Sequence, residues 1–249
     1  MVKGFLIDLE GTLIEGNKII KGADYFIKSC KDRYKLKILS NTTNNTSEDI
    51  KNKLEKLGIK VDSSLIYTAL DSIKSYLETN KLNSFLLTSN KTREILKDFF
   101  KEPYNAVIVT HARENFTYEN INMAFRLIVD GAVFISSSLT RYFKDKDGLL
   151  SLDAGAFTYA LMYATGKEPI ILGKPSKDFF ISSLKSISLD PQEVVMIGDD
   201  IENDIKPAIE MGIKTVLVKT GKFRDEDLLK GIKPNYVVNS ISDVLDFIS

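Results

Sequence analysis

Carboxylates gather where apolar runs end in this sequence. Asp8 and Glu10 close the run in "FLIDLEGT", and Asp199, Asp200 and Asp204 follow "VVMIG". Burial makes each such charge expensive, and clustered anions repel unless a divalent cation or protons intervene. Two further strand ends carry groups of a complementary kind: Ser40 and Asn41 in "KILSNTT", and Lys174 just ahead of Pro175 and Ser176. Hydroxyl, amide and ammonium donors beside metal-binding carboxylates suit a phosphoryl group. With Mg²⁺ bound by Asp8 and Asp199, Asp8 would attack phosphorus, and water would hydrolyse the resulting aspartyl-phosphate. Lys174, Mg²⁺ and the backbone N–H groups after Asp8 would stabilise charge on the equatorial oxygens. Mg²⁺ is expected because the chain has one histidine, His111, and one cysteine, Cys30. Neither can build a multi-His or thiolate site, which leaves oxygen ligands.

The elements that must position these groups are legible as periodic patterns. Residues 5–9, 35–40, 193–198 and 214–219 are short runs rich in Ile, Leu and Val, and they read as strands covered on both faces in a parallel sheet. Between them, Ile50, Leu54 and Leu57 recur at helical spacing, with Thr46 and Asp49 at the start and Gly58 at the stop. Phe180, Leu184 and Ile187 repeat that spacing after Ser176 as N-cap. The pattern predicts a doubly wound, Rossmann-like α/β sheet, in which ligands bind beyond the carboxyl ends of the strands. Pro207 is tolerated only near a helix start, so the aspartates before it lie in a loop or first turn.

The middle third has its own rhythm. Residues 83–90 and 105–111 read as strands, 119–131 as a helix and 132–138 as a further strand. We read residues 80–168 as a smaller α/β cap domain inserted into a core formed by 1–79 and 169–249.

Lys plus Arg and Asp plus Glu each number 34, so the 249-residue chain has no net charge. That balance argues against an extended nucleic-acid or anionic-membrane footprint. No apolar run approaches the ~20 residues of a membrane span, and the N-terminus lacks a signal-peptide pattern. With a lone cysteine, which forbids an internal disulfide, this places the protein in the cytoplasm. Cys30 follows Phe26 and Ile27 at helical spacing and reads as a small core residue. His111 reads as a strand-end or loop residue with a local polar partner, and Lys219 and Lys222 as solvated surface.

D-x-E-G-T at 8–12, Ser40-Asn41, Lys174 and G-D-x-x-x-x-D at 198–204 stand in an order that resembles the four motifs of the haloacid dehalogenase-like hydrolase superfamily. Residues 124–166 look like the cap and cap-return segment of the subfamily with an inserted α/β cap, which contains nitrophenyl and pyridoxal phosphate phosphatases. The resemblance covers nearly the whole chain. It implies a Mg²⁺-dependent phosphatase acting on a small phosphorylated substrate. Asp8 would be nucleophile and Mg²⁺ ligand, and residue 10 would offer its backbone carbonyl to Mg²⁺. Ser40 and Asn41 would bind phosphate, with Lys174 steadying nucleophile and phosphoryl group. Asp199 would bind Mg²⁺, and Asp204 would support the metal shell or Lys174. Asp200 is read as a loop or N-cap residue, with metal support as its other role. Members of the subfamily often pair through the cap, so a homodimer is expected on the same ground.

Glu10 departs from the pattern, which places Asp there as the acid that protonates the leaving oxygen and the base that activates water. Glu keeps the carboxyl but adds a methylene, a displacement of about 1.5 Å. Misplacement on that scale can cost ~10²-fold in rate. The expectation is activity biased toward good leaving groups: acyl or aryl phosphates, phosphoramidates or pyrophosphate. The competing readings are a binding or regulatory protein weakened in turnover by Glu10, and a phosphotransferase passing the Asp8 phosphoryl to a hydroxyl. Residues 141–148 and 153–157 are the expected cap rim.

Overall fold

The computed structural model describes residues 1–144 and 149–247. Part of the expected rim, residues 145–148, lies outside them. The chain divides into two compact units: residues 1–40, 47–68 and 174–249 form one, and 41–46 with 69–173 form the other.

In the first unit the chain runs through β1 (Gly4–Asp8), a hairpin of β2 (Ile14–Glu15) and β3 (Lys18–Ile19), and α1 (Ala23–Cys30). It continues with β4 (Lys35–Ser40), α2 (Ser47–Lys56) and β5 (Ile66–Thr68). The second unit carries α3 (Ala69–Asn80), β6 (Ser84–Leu87), α4 (Asn90–Ile95), β7 (Ala106–Val109), α5 (Tyr118–Val129) and β8 (Val133–Ser136). A hairpin of β9 (Tyr142–Lys144) and β10 (Leu150–Leu152) follows, then α6 (Ala154–Thr165) and β11 (Ile170–Ile171). The chain returns to the first unit for α7 (Lys177–Ile187), β12 (Val194–Gly198), α8 (Lys206–Glu210), β13 (Lys214–Val218) and β14 (Tyr236–Val238).

The first unit is a six-stranded sheet in the order β14-β13-β12-β1-β4-β5, parallel at every pairing. Its central strands are buried on both faces, which is why they read as runs rich in Ile, Leu and Val, with Lys37 of β4 a buried exception. Phe5, Ile7, Ile38 and Ile197 face α1 and α2 residues such as Phe26 and Leu54. Leu6, Leu39 and Met196 face Phe179, Phe180 and Leu184 of α7. Cys30 is buried in the first of these cores. The doubly wound α/β architecture is therefore the one the periodicity predicts.

The second unit is a four-stranded parallel sheet, β11-β8-β7-β6. It takes in α3, ahead of the predicted start at residue 80, because Leu70, Ile73 and Leu77 pack with Leu86, Ile108 and Ile135 of this sheet. Residues 41–46 join it through polar bonds. Asn44 Oδ1 accepts from Ser89, and Thr92 Oγ1 lies 3.0 Å from the carbonyl of Thr43. His111 follows β7, with Nδ1 3.4 Å from Asp153, the residue that caps α6. No helix among the described residues is long and apolar enough to cross a membrane.

Candidate active site

The carboxyl ends of β1 and β12 lie side by side, because Ile7 pairs with Ile197. Asp8 ends β1, and Asp199 immediately follows β12. After Asp199 the chain makes one wide turn, Ile201–Ile205, in which Asp204 donates its N–H to the carbonyl of Asp200 and Ile205 reaches the same oxygen. That turn brings Asp204 back over the strand end, and Pro207 then sits in the first turn of α8, where no N–H is needed.

Ligand atoms of Asp8, Asp199 and Asp204 lie within 4.8 Å of one another, and all three residues are buried. Lys174, itself 4% exposed, enters this cluster. Its ammonium donates to Asp8 Oδ1 and, at 2.6 Å, to Asp204 Oδ1. Asp8 Oδ2 is buried with no hydrogen-bond partner. Burial, with repulsion from Asp8 and Asp204, pushes Asp199 up to about 8. Burial likewise lifts Asp204 to about 7, against the pull of Lys174. For Lys174, burial opposes the charge, but Asp204 and Asp8 outweigh it and raise its pKa above the ordinary value. One ammonium cannot neutralise three buried carboxylates whose ligand atoms lie within 4.8 Å of one another. A hard divalent cation fits that donor set.

Sequence reasoning missed the loop after β13. The N–H of Lys222 donates to Asp199 Oδ2 at 2.6 Å, and Thr220 Oγ1 donates to the carbonyl of Gly11 at 2.5 Å. Gly11 and Gly221 both have positive φ, 93° and 58°. A Cβ on either would come within 2.1 Å of Asp199 Oδ2. Two strand-end loops, after β1 and β13, thus close on the carboxylate that follows β12, at a distance only glycine permits. The Lys222 side chain is solvated as expected, with 68% exposure, yet its Nζ reaches 3.2 Å from Asp200. The available signal was a Thr-Gly pair at the carboxyl end of a parallel strand, where ligands bind.

Asp200 lies outside the acidic trio. Its Oδ1 accepts the N–H groups of Glu202 and Asn203, both at 3.0 Å, and its Oδ2 accepts from Asn203 Nδ2 at 2.7 Å. Glu10 is also outside it: its carboxylate accepts the N–H of Gly16 in the β2–β3 hairpin and lies 3.8 Å from Lys53 of α2. Ser40 is buried at the end of β4 in the first unit. Asn41 falls in the second unit, where its Oδ1 lies 2.9 Å from the position a Cβ on Gly173 would take. The structure therefore brings Asp8, Lys174, Asp199 and Asp204 together, sets Asp200 beside them as a cap, and turns the Glu10 carboxyl onto the hairpin.

Residues 5–99 match the family model of the haloacid dehalogenase-like hydrolases, and residues 171–244 match a second HAD-hydrolase-like model. Haloacid dehalogenase-like hydrolase domain-containing protein 2 of Homo sapiens is 36% identical, over 95% of this chain and 91% of its own. The chain belongs to the haloacid dehalogenase-like hydrolases. Phospholysine phosphohistidine inorganic pyrophosphate phosphatase of Danio rerio is 32% identical to this hydrolase over 99% of the chain and 94% of that protein. Among solved structures, p-nitrophenyl phosphatase from Archaeoglobus fulgidus superposes with a TM-score of 0.91 at 26% identity, covering 99% of each chain. The hydrolase is thus an enzyme of the family its motifs resemble, and its fold is that of capped phosphatases.

Proposed function

We infer that this hydrolase is a Mg²⁺-dependent phosphatase of small phosphorylated substrates, working through an aspartyl-phosphate on Asp8. The observation that carries this reading is the divided state of Asp8: Lys174 holds Oδ1, while Oδ2 is buried without a partner. A nucleophile needs that arrangement, one oxygen fixed and the other with a lone pair uncommitted. Relatives and structural neighbours named as phosphatases support the reaction class.

Asp8, Asp199 and the backbone carbonyl of Glu10 would hold Mg²⁺, with Asp204 behind them. When bound, the cation would offset the carboxylate charge and polarise the phosphoryl oxygens. Asp8 attacks phosphorus, the bond to the leaving oxygen breaks, and that oxygen departs with a proton or as an anion. Lys174 keeps Asp8 in line and draws charge from the phosphoryl group, assisted by Ser40 and Asn41 at the end of β4. Water then attacks the phosphorus of the acyl phosphate, releasing inorganic phosphate and restoring the Asp8 carboxylate.

The Glu10 carboxyl must leave Gly16 to deliver a proton. Leaving groups that depart as stable anions, or as a neutral amine from a phosphoramidate already protonated on nitrogen, do not need it, so aryl and acyl phosphates, phosphoramidates and pyrophosphate are the favoured substrates. Phosphate release from a panel of phosphometabolites, with and without Mg²⁺, tests the reaction. Asp8→Asn should remove it altogether, and equal release by both proteins sinks the proposal. Across a leaving-group series, turnover should fall by at least ~10-fold from aryl to alkyl phosphates; a flat series contradicts the role given to Glu10.

A further inference from the structure

The loop after β13 is held from two sides. Toward the acidic trio, the N–H of Lys222 donates to Asp199 Oδ2. On the other side the guanidinium of Arg224 folds back over the loop. Its Nη1 donates to the carbonyls of Phe223 at 2.7 Å and Lys222 at 3.1 Å, and more weakly to that of Gly221 at 3.4 Å. The hydrogens of one nitrogen are thus shared among three successive carbonyls. The base of that side chain is fixed in turn. The Arg224 N–H donates to Asp227 Oδ2 at 2.8 Å, and its carbonyl accepts the N–H of Asp227 at 2.9 Å. Phe223, the residue before it, packs against Ile201, Ile205 and Leu217, so the loop shares a small core with the turn that carries Asp204.

The peptide unit between Gly221 and Lys222 connects the two sides. It is trans, so its C=O and N–H point in opposite directions. A cation that draws the Gly221 carbonyl one way therefore turns the Lys222 N–H the other way, onto Asp199. Gly221 does not fix that orientation by itself. Its φ is +58°, and glycine takes either sign of φ at little cost. With the peptide turned over, a carbonyl would face the Asp199 carboxylate and repel it.

We propose that Arg224 is a positioning residue for Asp199. By collecting the carbonyls of residues 221–223 it sets the plane of the 221–222 peptide, and through that N–H it sets the carboxylate. Its importance for the reaction rests on the reading of Asp199 as a Mg²⁺ ligand. Arg224 touches neither cation nor substrate in this role.

Two measurements on full-length Arg224→Met test it. In EDTA, hydrogen exchange of the Lys222 amide is followed by nuclear magnetic resonance at one pH. It should quicken by ~10-fold or more, while the amide of Met196 within β12 keeps its protection. Mg²⁺ is then titrated calorimetrically into the metal-free protein. Arg224 is exposed, and removing a cation near an acidic site should by charge alone tighten Mg²⁺ binding. Loss of the clamp acts with the opposite sign, and the Kd should weaken about tenfold. Unchanged exchange at Lys222 overturns the proposal, and so does Mg²⁺ affinity equal to or tighter than that of the wild-type protein. Equal loss of protection at Met196 also ends the case, because the effect would then be general loosening. If Arg224→Met does not fold, Arg224→Gln is read in the same way. Absence of Mg²⁺ binding by the wild-type protein would sink the metal-dependent phosphatase reading instead, and the exchange of Lys222 would still decide the role of Arg224.

Discussion

Both units are parallel sheets whose strands end in polar groups, and they differ in what those groups are. At the end of β8 in the second unit, Ser136 Oγ pairs with Thr158 Oγ1 at 2.9 Å, and Ser138 Oγ donates to Thr140 at 2.7 Å. Those hydroxyls are neutral and satisfy one another. At the ends of β1 and β12 the groups are three buried carboxylates and one ammonium, and an oxygen of Asp8 is left over. Parallel topology supplies a crevice in each case, but only the unbalanced charge in the first calls for an outside partner. Thr110 Oγ1, just after β7 in the second unit, is also buried without a hydrogen-bond partner, but as a neutral hydroxyl it leaves no charge to offset.

The sharpest way to break this contrast is to remove one polar group from each end. Lys174→Met leaves Asp8 and Asp204 buried without their cation. Stability should fall by about 3–5 kcal/mol in denaturant titration, and phosphate release should drop by ~10³-fold or more. Thr158→Val, at the hydroxyl end, should cost about 1 kcal/mol and leave the rate within about twofold. Comparable losses of activity in both variants would erase the distinction.

A steric probe comes next. Gly221→Ala forces a Cβ to within 2.1 Å of Asp199 Oδ2 and 2.4 Å of Gly11 Cα. Asp199 must shift, so turnover should drop ~10²-fold, with weaker Mg²⁺ binding by calorimetry. Unchanged Mg²⁺ affinity would show that the loop after β13 does not position Asp199.

The smallest effect is a pH dependence confined to the charged end. Asp199 and Asp204 rise to about 8 and about 7 from an ordinary 3.8, so the folded chain holds protons that the unfolded chain has released. Metal-free stability is therefore greatest near pH 4 and declines as pH rises through those folded values. In EDTA the melting temperature should fall by several degrees between about pH 5 and pH 8, and Mg²⁺ should restore it at the upper end. A metal-free melting temperature that climbs over this range would mean that the three carboxylates do not repel.

Much of the core was legible because burial on both faces leaves a continuous apolar signature: β1, β4, β12 and β13 fall on the predicted runs to within a residue. The edge strands β5 and β14 were not read, since three residues with mixed exposure carry little pattern. The start of the second unit was invisible for a different reason. Helix α3 has an ordinary amphipathic face, and nothing in its spacing says which sheet covers Leu70, Ile73 and Leu77. Motif two is likewise split, with Ser40 in one unit and Asn41 in the other, although the two residues are adjacent. The acidic trio was visible as residue types at strand ends. The orientation of Glu10 onto Gly16 was not, because it depends on a hairpin turn rather than on the motif.

The grip on Asp199 has a consequence for how this enzyme can drift. Its donor at position 222 belongs to the peptide unit, so every amino acid except proline supplies it equally. Codon 222 is free to wander while codon 221 is pinned by steric exclusion, and an anchor of the chemistry leaves its imprint one position away from the atom that performs it.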